Sequence, residues 1–514
     1  MWIMAIKIAL SILPVFMERP PATFESRAKD WRMGAVIYQV FPDRFAPSAN
    51  LPSKQELYTS PRKLRTWTET PHSSRYDPLV GYPHVFEFWG GDLQSIQSKL
   101  DYLSTLHADV LYLNPIFKAA SNHKYDTEDY TVIAPEFGMH ADLKSLIQSV
   151  HKRGMKIMLD GVFNHMGFSA PAFQSAKKSS KSPFREWFTF GKRYKGGYKS
   201  WFGSGEMPVL NLENSGVQRF LWRDKESIVR RYLRAGIDGW RLDVAYDMGP
   251  LILQKITGAA HDEKAGSAVV GEISGYPAQW FSSVDGVFNF YSMQLVIEML
   301  KGRISGGVVG RTLANTVSDA GIENVLRSWL LIDNHDTPRA KNLIPDPEQA
   351  RVAMALLFSL PGSPVIYYGT ELGMEGEGDP ENRAPMRWDL VNENNPHLKW
   401  VRQLAKLRKY HPALRYGDFH ALETEQLLAF VRMTHRLRET VLVVVNPTSK
   451  PVTETFGTRI GRMMSWGTLK DLLGGTKVLT KTGLITLEVP PLSVMLLAPE
   501  TAPNEGYSPY DRIP

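Results

Sequence analysis

Cysteine is absent from all 514 residues of the chain. Disulfides, thiolate metal sites, iron–sulfur clusters and a cysteine nucleophile are thereby excluded. Charge of one sign is scarce as well: 60 Lys and Arg face 53 Asp and Glu, a net +7 spread without dense runs. So small an excess does not imply nucleic-acid binding. Long apolar runs are missing too, apart from residues 1–17, MWIMAIKIALSILPVFM, which Lys7 interrupts and no basic cluster precedes. That run is too short for a membrane span and lacks the charged start of a signal peptide. It reads either as a leader-type segment or as translation upstream of a start at Met17. A cytoplasmic location is expected, with secretion if residues 1–17 act as a leader, and no stable membrane association. No internal repeat or low-complexity tract is evident, and nothing sets an oligomeric state.

What is present is apolar bulk. With 43% hydrophobic residues the chain can bury a large core, and at roughly 150 residues per domain its length suggests about three domains, unless one of them is an α/β barrel. From Ala35 onward, β-branched or aromatic runs alternate with amphipathic stretches. The runs are Ala35 to Val40, Asp109 to Leu113, Lys156 to Leu159, Gly239 to Val244, Ala268 to Ile273, Val284 to Asn289, Ser328 to Asp333 and Pro364 to Tyr368. Leu93, Ile96, Leu100 and Leu103 fall on one helix face between the first two runs, and Leu143, Leu146, Ile147 and Val150 do so before the third. Eight alternations predict a (β/α)8 TIM barrel with its site at the C-terminal ends of the strands. Residues 166–208 lack a clear period and read as a small excursion domain inserted after strand 3. Beyond about Tyr416 the texture becomes all-β, with Leu427 to Arg432, Val441 to Asn446 and Leu484 to Leu497 as strand segments, which predicts a C-terminal sandwich. The expected division is an N-terminal segment 1–30, a barrel 31–415 containing the excursion, a β domain 416–500 and a loose tail 501–514.

Four segments place polar residues where barrel strands end, a costly arrangement inside an apolar core unless it has a purpose. They are DGVFNH (Asp160 to His165), DGWRLDVAYD (Asp238 to Asp247), GEIS with Glu272, and LIDNHDTPR with His335 and Asp336. Asp243, Glu272 and Asp336 thus converge from strands 4, 5 and 7, accompanied by Arg241, His165 and His335. Three acids without a cysteine or a Ser–His grouping suit acetal cleavage, which needs one ionised carboxylate and one protonated carboxylic acid. Arg241 beside Asp243 is expected to keep that carboxylate ionised, while neighbouring negative charge raises the pKa of Glu272.

Carried by DGVFNH, GWRLDVA, GEI and NHD in that order, with YQVFPDRF, GGDL and PVIYYG in support, the chain from Trp31 to about Glu500 resembles the α-amylase family of retaining glycoside hydrolases. MPVLN (Met207 to Asn211) and GDPENRAPMRW (Gly378 to Trp388) are similar to segments of its neopullulanase, cyclomaltodextrinase and maltogenic amylase group. The resemblance implies Asp243 as nucleophile, Glu272 as general acid/base and Asp336 as the residue gripping sugar hydroxyls. It further implies that His165, His335, Asp379 and Arg383 contact substrate, that Tyr125 stacks on the sugar, and that Arg241 positions Asp243. The implied partner is an α-glucan oligosaccharide, a maltooligosaccharide, cyclodextrin or starch fragment, cleaved at α-1,4 bonds. An oligo-1,6-glucosidase, a transglycosylase and a non-catalytic glucan-binding subunit are the alternatives. No cofactor is required; calcium is possible, with Asn164 as a ligand position and Asp247 as a second. Two departures stand out: Ser274 where that group has Trp after the catalytic Glu, and Thr370 in YYGTE where YYGDE is common.

Each residue also has a structural reading by itself. Asp243 with Arg241 can be a buried ion pair, Glu272 can cap a helix, and Asn164 can brace the excursion. Joint occurrence at strand ends is what favours chemistry.

Overall fold

The computed structural model describes residues 23–75, 82–461 and 467–500. The expectations for residues 1–17 and for the tail 501–514 lie outside the described residues.

Eight parallel strands close into a barrel: β1 (Ile37–Val40), β2 (Val110–Leu113), β3 (Lys156–Gly161), β4 (Gly239–Leu242), β5 (Ala268–Ile273), β6 (Gly286–Asn289), β7 (Trp329–Leu330) and β8 (Ser363–Tyr367). All eight expected runs contribute a strand. β7 keeps only two residues of the run Ser328 to Asp333, because the chain leaves the sheet early to form the polar loop carrying His335 and Asp336.

Side chains alternate along a strand, and this sorts the barrel into an inner and an outer set. Ile37, Val110, Tyr112, Met158, Val270, Phe288, Trp329 and Val365 form one buried cluster inside the barrel. The intervening residues Tyr38, Leu111, Ile157, Leu159, Trp240 and Ile366 belong to a second, larger cluster between sheet and helices. Continuing the inner positions of β1 to β5 by two residues reaches Gln39, Asn114, Asp160, Arg241 and Glu272, whereas β6, β7 and β8 continue to Phe290, Leu331 and Tyr367. Thus the barrel interior passes from apolar to polar at the C-terminal ends of β1 to β5. Register sets Asp160 level with Arg241 across β3 and β4, while Arg241 pairs with Val270, so Glu272 stands two residues further toward the mouth, opposite Phe288.

Leu143, Leu146, Ile147 and Val150 are buried along the helix His140–Lys152, as their spacing predicts. Leu93, Ile96, Leu100 and Leu103 are buried too, but on two helices, Leu93–Ser98 and Leu100–Thr105, that part at Lys99. Residues 166–208 contain a helix their composition does not announce, Pro171–Lys178, whose Phe173 packs among Phe188, Phe190 and Tyr198. Isolated β-bridges His165 to Val209 and Phe188 to Leu210 tie this excursion to the segment MPVLN.

The C-terminal part is antiparallel. β9 (Asp418–Ala421), β10 (Leu428–Met433), β11 (Val441–Asn446), β13 (Thr468–Asp471), β14 (Lys477–Leu479) and β16 (Ser493–Pro499) make a six-stranded sheet, and β12 (Val452–Gly457) pairs with β15 (Leu484–Val489) in a second one. The expected single segment Leu484 to Leu497 is therefore two strands in two sheets. Pro490 and Pro491 lack the N–H a ladder needs, and Leu492 turns back with φ of 45°. Between the sheets lies a separate core that includes Leu442, Val444, Phe456, Ile485 and Leu497.

Candidate active site

The polar layer opens into a cavity of about 300 Å3 lined by His123, Tyr125, His165, Trp201, Met207, Asp243, Val244, Glu272, His335, Asp336, Asp379 and Arg383. Eight of the nine residues expected to catalyse or to bind substrate line it; the ninth, Arg241, lies beneath them, fully buried.

Arg241 organises the floor. Its Nη1 donates to Asp243 Oδ1 at 2.9 Å and to Asp160 Oδ1 at 3.0 Å, and its Nη2 lies 2.7 Å from Glu272 Oε1. One guanidinium therefore serves three carboxylates. The expectation paired Arg241 with Asp243; the guanidinium meets Asp160 and Glu272 as well. Burial raises the Asp243 pKa well above the ordinary value; Arg241 opposes this, while Glu272, Asp160 and Asp336 add to the rise. Glu272 is raised by the same balance, burial first and Arg241 against it. A site with more carboxylates than cations retains a proton more readily than an isolated acid. Glu272 also accepts a hydrogen bond at 3.0 Å from the backbone N–H of Val244, which holds left-handed φ of 49°. This bond ties the end of β5 to the loop after β4, rather than capping the helix that follows its own strand.

A second network fixes the tautomers of the site. Gln39 Nε2 donates to Asn114 Oδ1 at 3.0 Å and to His335 Nδ1 at 3.0 Å, so Nε2 of His335 carries the proton. That nitrogen lies 2.5 Å from the Tyr125 hydroxyl and 3.1 Å from Asp336 Oδ2. Tyr125 in turn accepts from Asn114 Nδ2 and donates to Asp160 Oδ2 at 2.9 Å, with its ring parallel to that of His335 at 5.2 Å. Burial lowers the pKa of His335 well below the ordinary imidazole value and those of His123 and His165 to about 4. Neutral imidazoles here offer hydrogen bonds without charge. His165 Nε2 donates to the Tyr125 carbonyl at 3.1 Å, and its ring stacks on Trp201 at 5.7 Å.

Next to this network Arg383 lies 3.2 Å from Asp336 Oδ1 and 3.0 Å from Asp379 Oδ2, and its Nε donates to the His335 carbonyl. Side chains of Asp336 and Asp379 remain 47% and 41% exposed, so both carboxylates face the open cavity, whereas Asp243 at 8% lies at its base.

Sequence reasoning missed His123, Trp201, Gln39 and Asn114, and gave Asp160 no role. Gln39 and Asn114 had a signal, a polar residue continuing the inner stripe of an apolar strand. His123 and Trp201 lie on loops and had none. The supporting motifs act one layer away: Asp43 of YQVFPDRF accepts the N–H groups of Trp89 and Gly90, and buried Glu371 accepts the hydroxyls of Tyr38 and Tyr102. Tyr276 donates to Asp319 at 2.6 Å and meets Tyr291 edge-on, while Ser274 is exposed.

Asn164 is buried behind His165 and lines a neighbouring cavity with Asp247, Glu213 and Lys199. Calcium takes six to eight oxygens. The lining brings two carboxylates, the amides of Asn164 and Asn211 and the hydroxyls of Thr189 and Ser200 together with the Lys199 ammonium, whose charge opposes a cation there, and among the described residues no group of three or more His, Asp or Glu is placed to hold a metal.

The family profile described as alpha amylase, catalytic domain, matches residues 39–393. The chain is 34% identical over 431 residues to the intracellular maltogenic amylase of Bacillus subtilis, covering 81% of this chain and 69% of that protein. It is 32% identical over 487 residues to a cyclomaltodextrinase of Geobacillus thermopakistaniensis, covering 92% and 78%. Among solved structures, the ligand-free cyclic alpha-maltosyl-(1→6)-maltose hydrolase of Arthrobacter globiformis superposes with a TM-score of 0.75 at 29% identity, over 90% of this chain and 99% of that one.

Proposed function

The chain belongs to the α-amylase family of glycoside hydrolases, and on that premise we propose that it cleaves α-1,4-glucosidic bonds of maltooligosaccharides, cyclodextrins or starch fragments by double displacement. The observation that carries this reading is the gathering of Asp243, Glu272 and Asp336 around one cavity, with Arg241 between the first two.

Asp243, at the base, attacks the anomeric carbon as the Glu272 carboxylic acid protonates the departing oxygen, leaving a glycosyl ester on Asp243. The Glu272 carboxylate then takes a proton from water, which displaces the ester and restores both groups. Arg241 contacts both carboxyls and stabilises whichever is ionised at each stage. Asp336, His335 and His165 bind hydroxyls of the sugar at the cleavage point, Tyr125 lies against its ring, and Asp379 with Arg383 borders the same wall. No step passes through calcium, and dialysis against EDTA is expected to leave turnover unchanged.

Incubation of the purified protein with maltotriose, β-cyclodextrin, pullulan, isomaltose and soluble starch, followed by NMR of the fresh product, tests the reading. Release of the α-anomer from α-1,4 substrates supports it; β-anomer as first product overturns the double displacement. A specific observation favours a second reading: the Arthrobacter globiformis enzyme is named for a ring containing a 1→6 bond. Faster turnover of isomaltose than of maltotriose would select α-1,6 cleavage.

Among the described residues no helix is long and apolar enough to cross a membrane. From the likeness to the intracellular maltogenic amylase of Bacillus subtilis we infer a cytoplasmic location, which activity measured in separated cell fractions checks.

A further inference from the structure

Opposite the candidate active site, at the N-terminal ends of β1, β2 and β3, lies a cavity of about 280 Å3 whose walls include His107, Asp109, Arg153, Arg408, Lys409 and Arg415. Its charge is one-sided. Arg153 is paired outward, with Asp101 Oδ1 at 2.8 Å. Among the described residues, Arg408, Lys409 and Arg415 have no carboxylate within 4.0 Å. Asp109 is the carboxylate in the wall, and it accepts the N–H that starts β1, at Val36, at 2.9 Å. Three cations thus face one anion.

Arg408 adds a buried cation to this side of the balance. It is 1% exposed, and its guanidinium is met by neutral carbonyls: Gly34 O at 3.1 Å, Phe358 O at 2.6 Å and Gly362 O. Phe358 O belongs to the last turn of the helix Pro347–Ser359, whose negative end offsets part of the charge, and among the described residues no carboxylate within 4.0 Å offsets the rest. Burial, with Arg432 and Arg415 nearby, depresses its pKa well below the usual guanidinium value. Lys409 and Arg415 project from separate helices, Pro396–Tyr410 and Pro412–Tyr416, onto the same space. His107 takes left-handed φ of 51° and sets its Nδ1 3.4 Å from Lys409 Nζ. The left-handed turn at His107 closes the helix Leu100–Thr105, with the Ala108 N–H returning to Leu103 O at 3.2 Å.

We propose that this cavity binds a phosphoryl oxyanion through Arg408, Lys409 and Arg415. A dianion offsets the excess of cations over Asp109, and charge-assisted bonds from several donors suit its tetrahedral oxygens. Chloride fits less well, because a single negative charge offsets only half of the excess of cations and a spherical ion offers no directed oxygens to several donors. Inorganic phosphate and the phosphate of a hexose phosphate offer the same chemistry. The site lies at the end of the barrel remote from the carboxylates, so its occupancy shows as binding and added thermal stability rather than as changed chemistry.

Isothermal titration of the full chain with inorganic phosphate and with glucose 6-phosphate, at constant ionic strength set by potassium chloride, tests this. One saturable site is expected, weakened at least about tenfold by Lys409→Ala and by Arg415→Gln. Both variants keep the parent turnover on maltotriose, which shows that they fold. Glucose 6-phosphate binding about tenfold tighter than phosphate identifies a sugar phosphate as the ligand, and equal affinities identify free phosphate. Absence of saturable binding to either at about 10 mM, or binding that both variants leave intact, overturns the proposal.

Discussion

Arg241 touches Asp160, Asp243 and Glu272 at once, and the behaviour of each carboxyl follows from that sharing. Asp243→Asn keeps the shape of the site but cannot form a glycosyl ester, so turnover is expected to fall by about four orders of magnitude or more while maltotriose binding stays measurable by calorimetry. Glu272→Gln removes a general acid worth about 10²- to 10⁴-fold, and substrates with good leaving groups should recover most of the loss because they need no proton. Equal, unrescued losses in the two variants would reverse the assignment of roles. The pH dependence has a definite sign. Activity needs Asp243 ionised and Glu272 protonated, so it falls on the acid side as Asp243 takes a proton and on the alkaline side as Glu272 loses one. Burial raises both groups against the pull of Arg241, so both limbs lie above the ordinary carboxylate range. The two apparent values belong to the pair. Glu272→Gln, assayed on an activated substrate, should lose the alkaline limb.

The excursion is the element whose packing reaches the site. Its aromatic centre, Phe173 against Phe188 at 5.0 Å and Tyr198 at 4.7 Å, holds the chain that returns through Trp201 and Met207 to the cavity. Phe173→Ala leaves a void of aromatic size, a cost of about 3–5 kcal/mol confined to this unit. Limited proteolysis should then cut between residues 178 and 208 while the barrel stays intact, and KM should rise more than kcat falls. The helix Pro171–Lys178 escaped sequence reading because eight residues make barely two turns, too few for a period to emerge. The four strand-end motifs were legible for the opposite reason: a polar cluster directly after a buried apolar run is conspicuous. His123 and Trp201 reach the cavity from loops, where no periodicity marks which way a side chain points.

Across the whole molecule the barrel and the C-terminal sheets meet at backbone distance. Gly306 and Gly307, which begin the helix Gly306–Ala320, donate their N–H groups to Gln426 O and Glu425 O in the chain entering β10. A Cβ at Gly307 would stand 2.0 Å from Thr424 O. Gly307→Ala must therefore push helix and sheet apart, at about 1–3 kcal/mol. Calorimetry should record a melting temperature lower by a few degrees with turnover at 25 °C preserved; an unchanged melting temperature would mean that the interface yields freely. Arg432 bridges the same junction, fully buried, with Nη1 donating to Ser359 O and Leu414 O.

Local order was the sequence's to determine: eight apolar runs, their alternation with helices, and carboxylates placed just past strand ends follow from periodicity and from the cost of burying charge. These features place Asp243, Glu272 and Asp336 at one end of a barrel before any coordinate is known. Which charges share a partner was decided by the tertiary structure alone. Sequence spacing paired Arg241 with Asp243, its neighbour two residues on. The register between β3 and β4 and the approach of β5 added Asp160 and Glu272, because a closed barrel brings residues from separate strands within 3 Å of one guanidinium. At the other end, nothing in the spacing of Arg408, Lys409 and Arg415 foretold a common cavity. Two helices had to fold against the starts of β1, β2 and β3 before their charges faced one another.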